Sequence, residues 1–160
     1  MLVVADSPPL IVLINIGHIN VLPSLFGQVV VPPEVSAELN KANRPEAVQR
    51  FIAATPGWFL VRAASKIESI PSLHAGELAA ISLAQELKAD LLLIDEVDGR
   101  KAAAARHVPF TGIIGVLESA ADRGLLDLQD AFSRVKQTDF WISHELLNER
   151  LRLYLGRRPR

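Results

Sequence analysis

Two acidic residues stand where apolar runs end. Asp6 closes the run at residues 2–5, LVVA, and Asp95 closes the run at 91–94, LLLI, with Glu96 and Asp98 just beyond. A carboxylate at the edge of an apolar core needs a cation, hydrogen-bond donors or water around it. Taken singly, each also suits a helix N-cap, Asp6 ahead of Ser7-Pro8, and Asp95 or Asp98 ahead of the segment that follows. The coincidence argues for more. In open α/β sheets chemistry gathers beyond the carboxyl ends of the strands, and two separate strands deliver an Asp to that rim.

Two further acids are placed to join them. Glu77 lies in the first turn of a helical stretch, HAGELAAISLAQEL, whose apolar positions imply a deeply packed start. The helix dipole alone would favour a carboxylate there. Glu34 and Glu38, in VPPEVSAELN, fall one helical turn apart, with Glu34 the dipole partner and Glu38 able to reach back toward the rim. Carboxylates from four segments repel one another unless something neutralises them. Mg²⁺ or Mn²⁺, which prefer oxygen ligands, would do so, and would supply what phosphodiester hydrolysis needs.

The elements that must position these residues follow from the pattern. Leu2–Ala5, Gln28–Val31, Trp58–Arg62 and Leu91–Ile94 are short, rich in Val, Leu and Ile, and lack polar alternation, as strands buried on both faces do. VPFTG at 108–112 could carry a very short fifth strand. Helical stretches are expected around 9–16, 18–25, 33–41, 44–54, 74–88, 98–106, 112–123, 127–137 and 143–154. Alternation of the two kinds implies a parallel α/β sheet with right-handed crossovers. The last helices have no strand between them and should form an α-helical cap. No linker divides the chain, so one domain is expected over 1–160.

Bulk properties set outer bounds. At 160 residues, 49% hydrophobic and 22% charged, the chain has the composition of a globular domain. A net charge of −1 means that any nucleic-acid site must be a local patch. No cysteine is present, which excludes disulfides and thiolate metal sites and fits a reducing cytoplasm. The apolar N-terminus lacks a basic leader and is broken by Asp6 and Pro8-Pro9, so a soluble, cytoplasmic protein without membrane contact is expected.

With these residues in view, the sequence resembles the PIN-domain nucleases, and more narrowly their stand-alone, toxin–antitoxin-type branch. The matching pieces are VVADSPPLIVLINIG, VVVPPEVSAEL, HAGELAAISLAQELKADLLLIDEVDGRKAAAARHVPFTGIIGVLESA and RGLL, in the family's order over roughly residues 3–126. The resemblance implies a Rossmann-like α/β/α sandwich with a central parallel sheet. Extra C-terminal helices would then form a cap at about 127–155 and a basic tail 156–160. It implies a Mg²⁺- or Mn²⁺-dependent endoribonuclease with Asp6, Glu38, Glu77 and Asp95 at its centre. It further implies cleavage of single-stranded or structured RNA, leaving 5′-phosphate and 3′-hydroxyl ends. The usual Thr-x-Asp of the family is replaced by Ile94-Asp95-Glu96, so either Asp95 or Glu96 could be the last ligand, with Asp98 as an outer helper. A small antitoxin protein and a homodimer are the partners that the resemblance carries.

Ser7 could touch substrate or simply shape the turn before Pro8. Thr111 lies near the rim, with an N-cap role for the helix at 112–123 as its simpler use. Arg100 and Lys101 could meet RNA phosphates, and Arg100 could instead orient a site carboxylate. The four histidines show no ligand spacing. Trp58 and Trp141 lack the interleaved basic pattern of a single-strand platform and are expected to pack. The alternative function is a PIN fold whose acids no longer assemble, kept as an RNA- or protein-binding module. A phosphoaspartate enzyme using Asp6 is disfavoured because position 8 is Pro rather than a second Asp.

Overall fold

In the computed structural model, which describes residues 1–157, five parallel strands form one sheet. They are β1 (Val3–Ala5), β2 (Val29–Val31), β3 (Phe59–Val61), β4 (Leu91–Leu93) and β5 (Phe110–Thr111), in the order β3-β2-β1-β4-β5. Residues 158–160 of the expected basic tail lie outside the described part.

The missing polar alternation in the strands has a direct cause. Val3, Ala5, Val29, Val31 and Leu93 enter one apolar core, while Val4, Val30, Leu92 and Ile94 enter the other. Both faces of the sheet are covered, so both sets of side chains are apolar. On the first face pack α1 (Ser7–Asn15), α7 (Ile113–Asp122), α8 (Leu128–Lys136) and α9 (His144–Arg157), together with α2 (Val21–Phe26), α3 (Pro33–Leu39) and α4 (Glu46–Ala53). On the second pack α5 (Ala75–Leu87) and α6 (Val97–Ala105). This is the expected α/β sandwich with a C-terminal helical layer.

Departures from expectation are small and explicable. The first helix begins at Ser7, two residues early, because Pro8 and Pro9 sit in its first turn, where a missing N–H costs nothing. In β3 only Phe59 is buried, while Leu60 and Val61 are exposed, as befits an edge strand. The final helix runs to Arg157, past the expected end of the cap and into the expected tail. What matters for function is the reversal at β1: the chain leaves it toward β2 on one side and returns as β4 on the other. That switch point lies at the carboxyl ends of β1 and β4, where Asp6 and the 95–96 pair emerge.

Candidate active site

The register of β1 on β4 decides which acids can meet. Val3 pairs with Leu91, Val4 with Leu92 and Ala5 with Leu93. Asp6 is therefore level with Ile94, and its backbone N–H donates to Leu93 O at 2.9 Å. Side chains alternate across a strand, so Asp6 continues the row of Val4 and Leu92, on the side of α5 and α6. Asp95 falls one step further along, in the row of Leu93, on the side of α7. Glu96 returns to the side of Asp6.

Asp6 occupies the N-cap position of α1 with extended backbone, φ −84° and ψ 166°, but its side chain makes no cap hydrogen bond. It is 1% exposed, and its Oδ2 is buried with no hydrogen-bond partner. Burial, reinforced by the charges of Glu38, Glu77 and Glu96 and opposed by the Ser7 backbone N–H, pushes its pKa up to about 7. An acid that forgoes its cap and keeps one oxygen without a donor among other acids is not explained by local structure.

Its neighbours are held by specific contacts. The Ser7 hydroxyl, itself buried, donates to Glu38 Oε2. Arg44 Nε donates to the Glu38 backbone oxygen at 2.9 Å and so fastens the end of α3. Glu77, at the third position of α5, is buried and accepts the His74 backbone N–H at 3.2 Å in a capping box. Burial raises its pKa, with Glu96 and Glu38 adding to the effect and the His74 N–H opposing it. Two glycines make the convergence possible. A Cβ at Gly76 would collide with the Glu38 carboxylate, and one at Gly99 would collide with Ile94 and come within 3.2 Å of Glu77 Oε2. Glu96 is the exposed N-cap of α6, and its charge acts on Asp6, Glu77 and Asp95.

Asp95 is engaged elsewhere. Both its oxygens lie 3.2 Å from the Ile113 backbone N–H, so it caps α7 from a distant segment. It also pairs with Arg100 at 3.2 Å, and Arg100 Nε donates to Ile94 O at 3.0 Å while the guanidinium lies 5.8 Å from the Phe110 ring centre. Burial raises the Asp95 pKa against the pull of the Ile113 N–H and Arg100. The expected Thr111 cap is thereby corrected: Gly112 is the N-cap residue, Asp95 does the capping, and the Thr111 hydroxyl is turned against Gly115. Asp98 and Lys101 are exposed on α6.

The donor set suits a hard divalent cation. It is all oxygen, anionic, and centred on the unpartnered Asp6 Oδ2. Among the described residues no three acidic or histidine side chains are grouped closely enough to hold a metal ion.

Beside the acids opens a cleft of about 940 Å³, whose lining includes Asp95, Glu96, Arg100, Phe110, Trp141 and Arg150. The expected packing role for Trp141 is overturned, for it is 90% exposed. Trp58, by contrast, does pack, with its ring 6.0 Å from Phe51 and 6.2 Å from Phe59. Glu118, not anticipated, is buried in the cleft wall and gripped by Arg150 at 2.6 and 3.1 Å. Its only trace in the sequence is a single acid within the apolar helix IIGVLESA.

A family model for the PIN domain (DUF3368) matches residues 2–155. The chain belongs to the PIN-domain family. PIN domains are generally nucleases and typically use divalent metal ions. Among solved structures, the PilT N-terminus domain protein SSO1118 from the hyperthermophilic archaeon Sulfolobus solfataricus P2 superposes with a TM-score of 0.57. The match has 24% identity and covers 75% of this chain and 93% of that one. At that identity the likeness speaks for the fold. No curated protein matches the chain.

Proposed function

We propose that this PIN domain is a divalent-metal-dependent endoribonuclease that hydrolyses phosphodiester bonds in single-stranded or structured RNA. The observation that carries the reading is Asp6: buried, without a partner at Oδ2, and surrounded by the charges of Glu38, Glu77 and Glu96. Those four would hold the cation, with Glu96 rather than Asp95 as the acid from the β4 end. Bound there, Mg²⁺ or Mn²⁺ supplies Lewis acidity and charge neutralisation toward a phosphodiester.

The chain's own residues do the arranging. Ser7 orients Glu38 through its hydroxyl, and the His74 N–H orients Glu77. Asp95 and Arg100 lock the turn that presents Glu96, by tying Ile94 O and the start of α7 together. Lys101 and Asp98, both exposed on α6, flank the approach and are candidates for contact with the RNA backbone and for outer-shell help respectively. Thr111 lines the adjoining cleft.

The experiment is RNA cleavage by the wild type with Mn²⁺, with EDTA, and with Mn²⁺ restored after EDTA. Activity should vanish and return, and Asp6→Asn and Glu96→Gln should be impaired. Undiminished cleavage in EDTA would sink the proposal.

A second reading has its own observation. The acids do not form a closed ligand sphere, and Glu replaces the usual final Asp. A weakly active or inactive RNA- or protein-binding PIN fold would show this. Absence of any Mn²⁺ binding in titration calorimetry would favour it. Also part of the proposal are a toxin role with a small antitoxin partner, a homodimer and a cytoplasmic location. Among the described residues no helix is long and apolar enough to cross a membrane.

A further inference from the structure

We infer that Trp141 is a base-stacking residue for single-stranded RNA, seating a nucleobase in the cleft beside the acids. The inference rests on the ribonuclease reading above and adds to it a substrate contact outside the acidic cluster.

The starting point is an indole with no structural employment. Trp141 is 90% exposed, and no ring contact engages it among the described residues, whereas Trp58 lies in an aromatic cluster. It lines the same cleft as Glu96, whose charge acts on Asp6. A second flat surface faces that cleft. The Phe110 ring carries the Arg100 guanidinium on its face, 5.8 Å from the centre. Aromatic rings and guanidinium planes are the surfaces on which unpaired bases stack.

Charge on the wall narrows the choice of ligand group. Arg100 is paired with Asp95 and Arg150 with Glu118, so neither offers a free cation to a phosphate. The remaining lining acids are Glu96, at the acid end, and Asp139, which is exposed. The wall between is apolar, with Val97, Phe110 and Leu146 exposed along it. Such a wall suits the uncharged face of a base, while the phosphate belongs at the acids with their cation. Stacking of this kind contributes about 1–3 kcal/mol per base, or roughly 5- to 150-fold in Kd.

The test uses fluorescence anisotropy with a short, mixed-sequence single-stranded RNA. It is done in the full-length Asp6→Asn protein so that the RNA stays intact. Adding Trp141→Ala should weaken binding within that range, and Trp141→Phe should recover much of the loss. An abasic ribose-phosphate oligomer of equal length should bind both proteins alike. Equal RNA affinity with and without Trp141 overturns the inference even if the wild type cleaves RNA and the nuclease reading stands. Equal losses for RNA and the abasic oligomer also overturn it, since the effect would not depend on bases. So does the absence of RNA binding by the Asp6→Asn parent. In sedimentation, a wild-type dimer dissolved by Trp141→Ala would assign the face to a second copy of the chain and overturn it likewise.

Discussion

Asp6 and Asp95 each follow an apolar strand, on neighbouring parallel strands of one sheet, yet the fold treats them as opposites. Asp6 is buried with an unpartnered oxygen and three acids acting on it. Asp95 accepts from the Ile113 N–H and from Arg100, and serves as the cap of a helix eighteen residues away. One carboxylate keeps an oxygen without a donor and the other is engaged by a helix start and an arginine. The contrast teaches that equivalent places at neighbouring strand ends do not fix the surroundings of an acid; the donors brought by distant segments do.

The largest expected effect breaks the comparison at Asp6. Asp6→Asn should lower metal-dependent RNA cleavage by orders of magnitude. Asp95→Asn preserves a helix cap and should leave at least a tenth or so of wild-type activity. Initial rates at saturating Mn²⁺ measure both. Equal losses would return Asp95 to the centre.

Stability against pH should report on the buried Asp6. Folding raises the Asp6 pKa from 3.8 to about 7, so the folded protein keeps a proton that the unfolded chain releases between those values. Its contribution is fully present below pH about 4 and is lost as the pH rises through about 7. In EDTA the wild type should therefore melt lower at pH 8 than at pH 5. Asp6→Asn should lessen that decline by an amount on the order of a few kcal/mol. Thermal scans of the two proteins at several pH values decide it. An unchanged slope in Asp6→Asn would show that its proton is not the one involved.

A smaller effect is expected at the cleft wall. Arg150→Ala leaves Glu118 buried without its guanidinium, while Arg150 itself is partly exposed. The loss should be about 1–3 kcal/mol, read by urea denaturation. Smallest of all is the stability effect of Asp95→Asn, expected within about 1 kcal/mol because Asn caps nearly as well as Asp. A loss of several kcal/mol would mean that the Arg100 ion pair, rather than the cap, is what Asp95 contributes.

Four of the five strands were readable because parallel strands leave apolar runs rich in Val and Leu, whereas β5, only Phe110–Thr111, leaves almost no pattern. The placement of Asp6, Glu38 and Glu77 around one rim was readable because each stands at an element start or end that the pattern locates. The different surroundings of Asp95 and Glu96 were not. They depend on register, Ala5 lying opposite Leu93, and a one-residue difference in where two strands align reverses the face to which each acid points. No local pattern in either strand encodes that pairing. Trp141 was misjudged for a related reason: its exposure depends on how the segment before α9 lies across the cleft, a tertiary matter that residue type alone does not settle. The Asp95 cap on α7 spans two segments, so Gly112, which offers no side-chain cap of its own, gave no hint of it.

The grip of Arg150 on Glu118 has a consequence for the order in which the protein is made. The acids all lie between residues 6 and 96, whereas the wall bearing Trp141 is fastened by an arginine at position 150. Synthesis runs from the N-terminus, so every acid has left the ribosome's decoding centre before Arg150 has been added. A growing chain therefore carries every residue of the acidic cluster before it carries the arginine that fastens the neighbouring wall, and the two halves of this face are completed at different times.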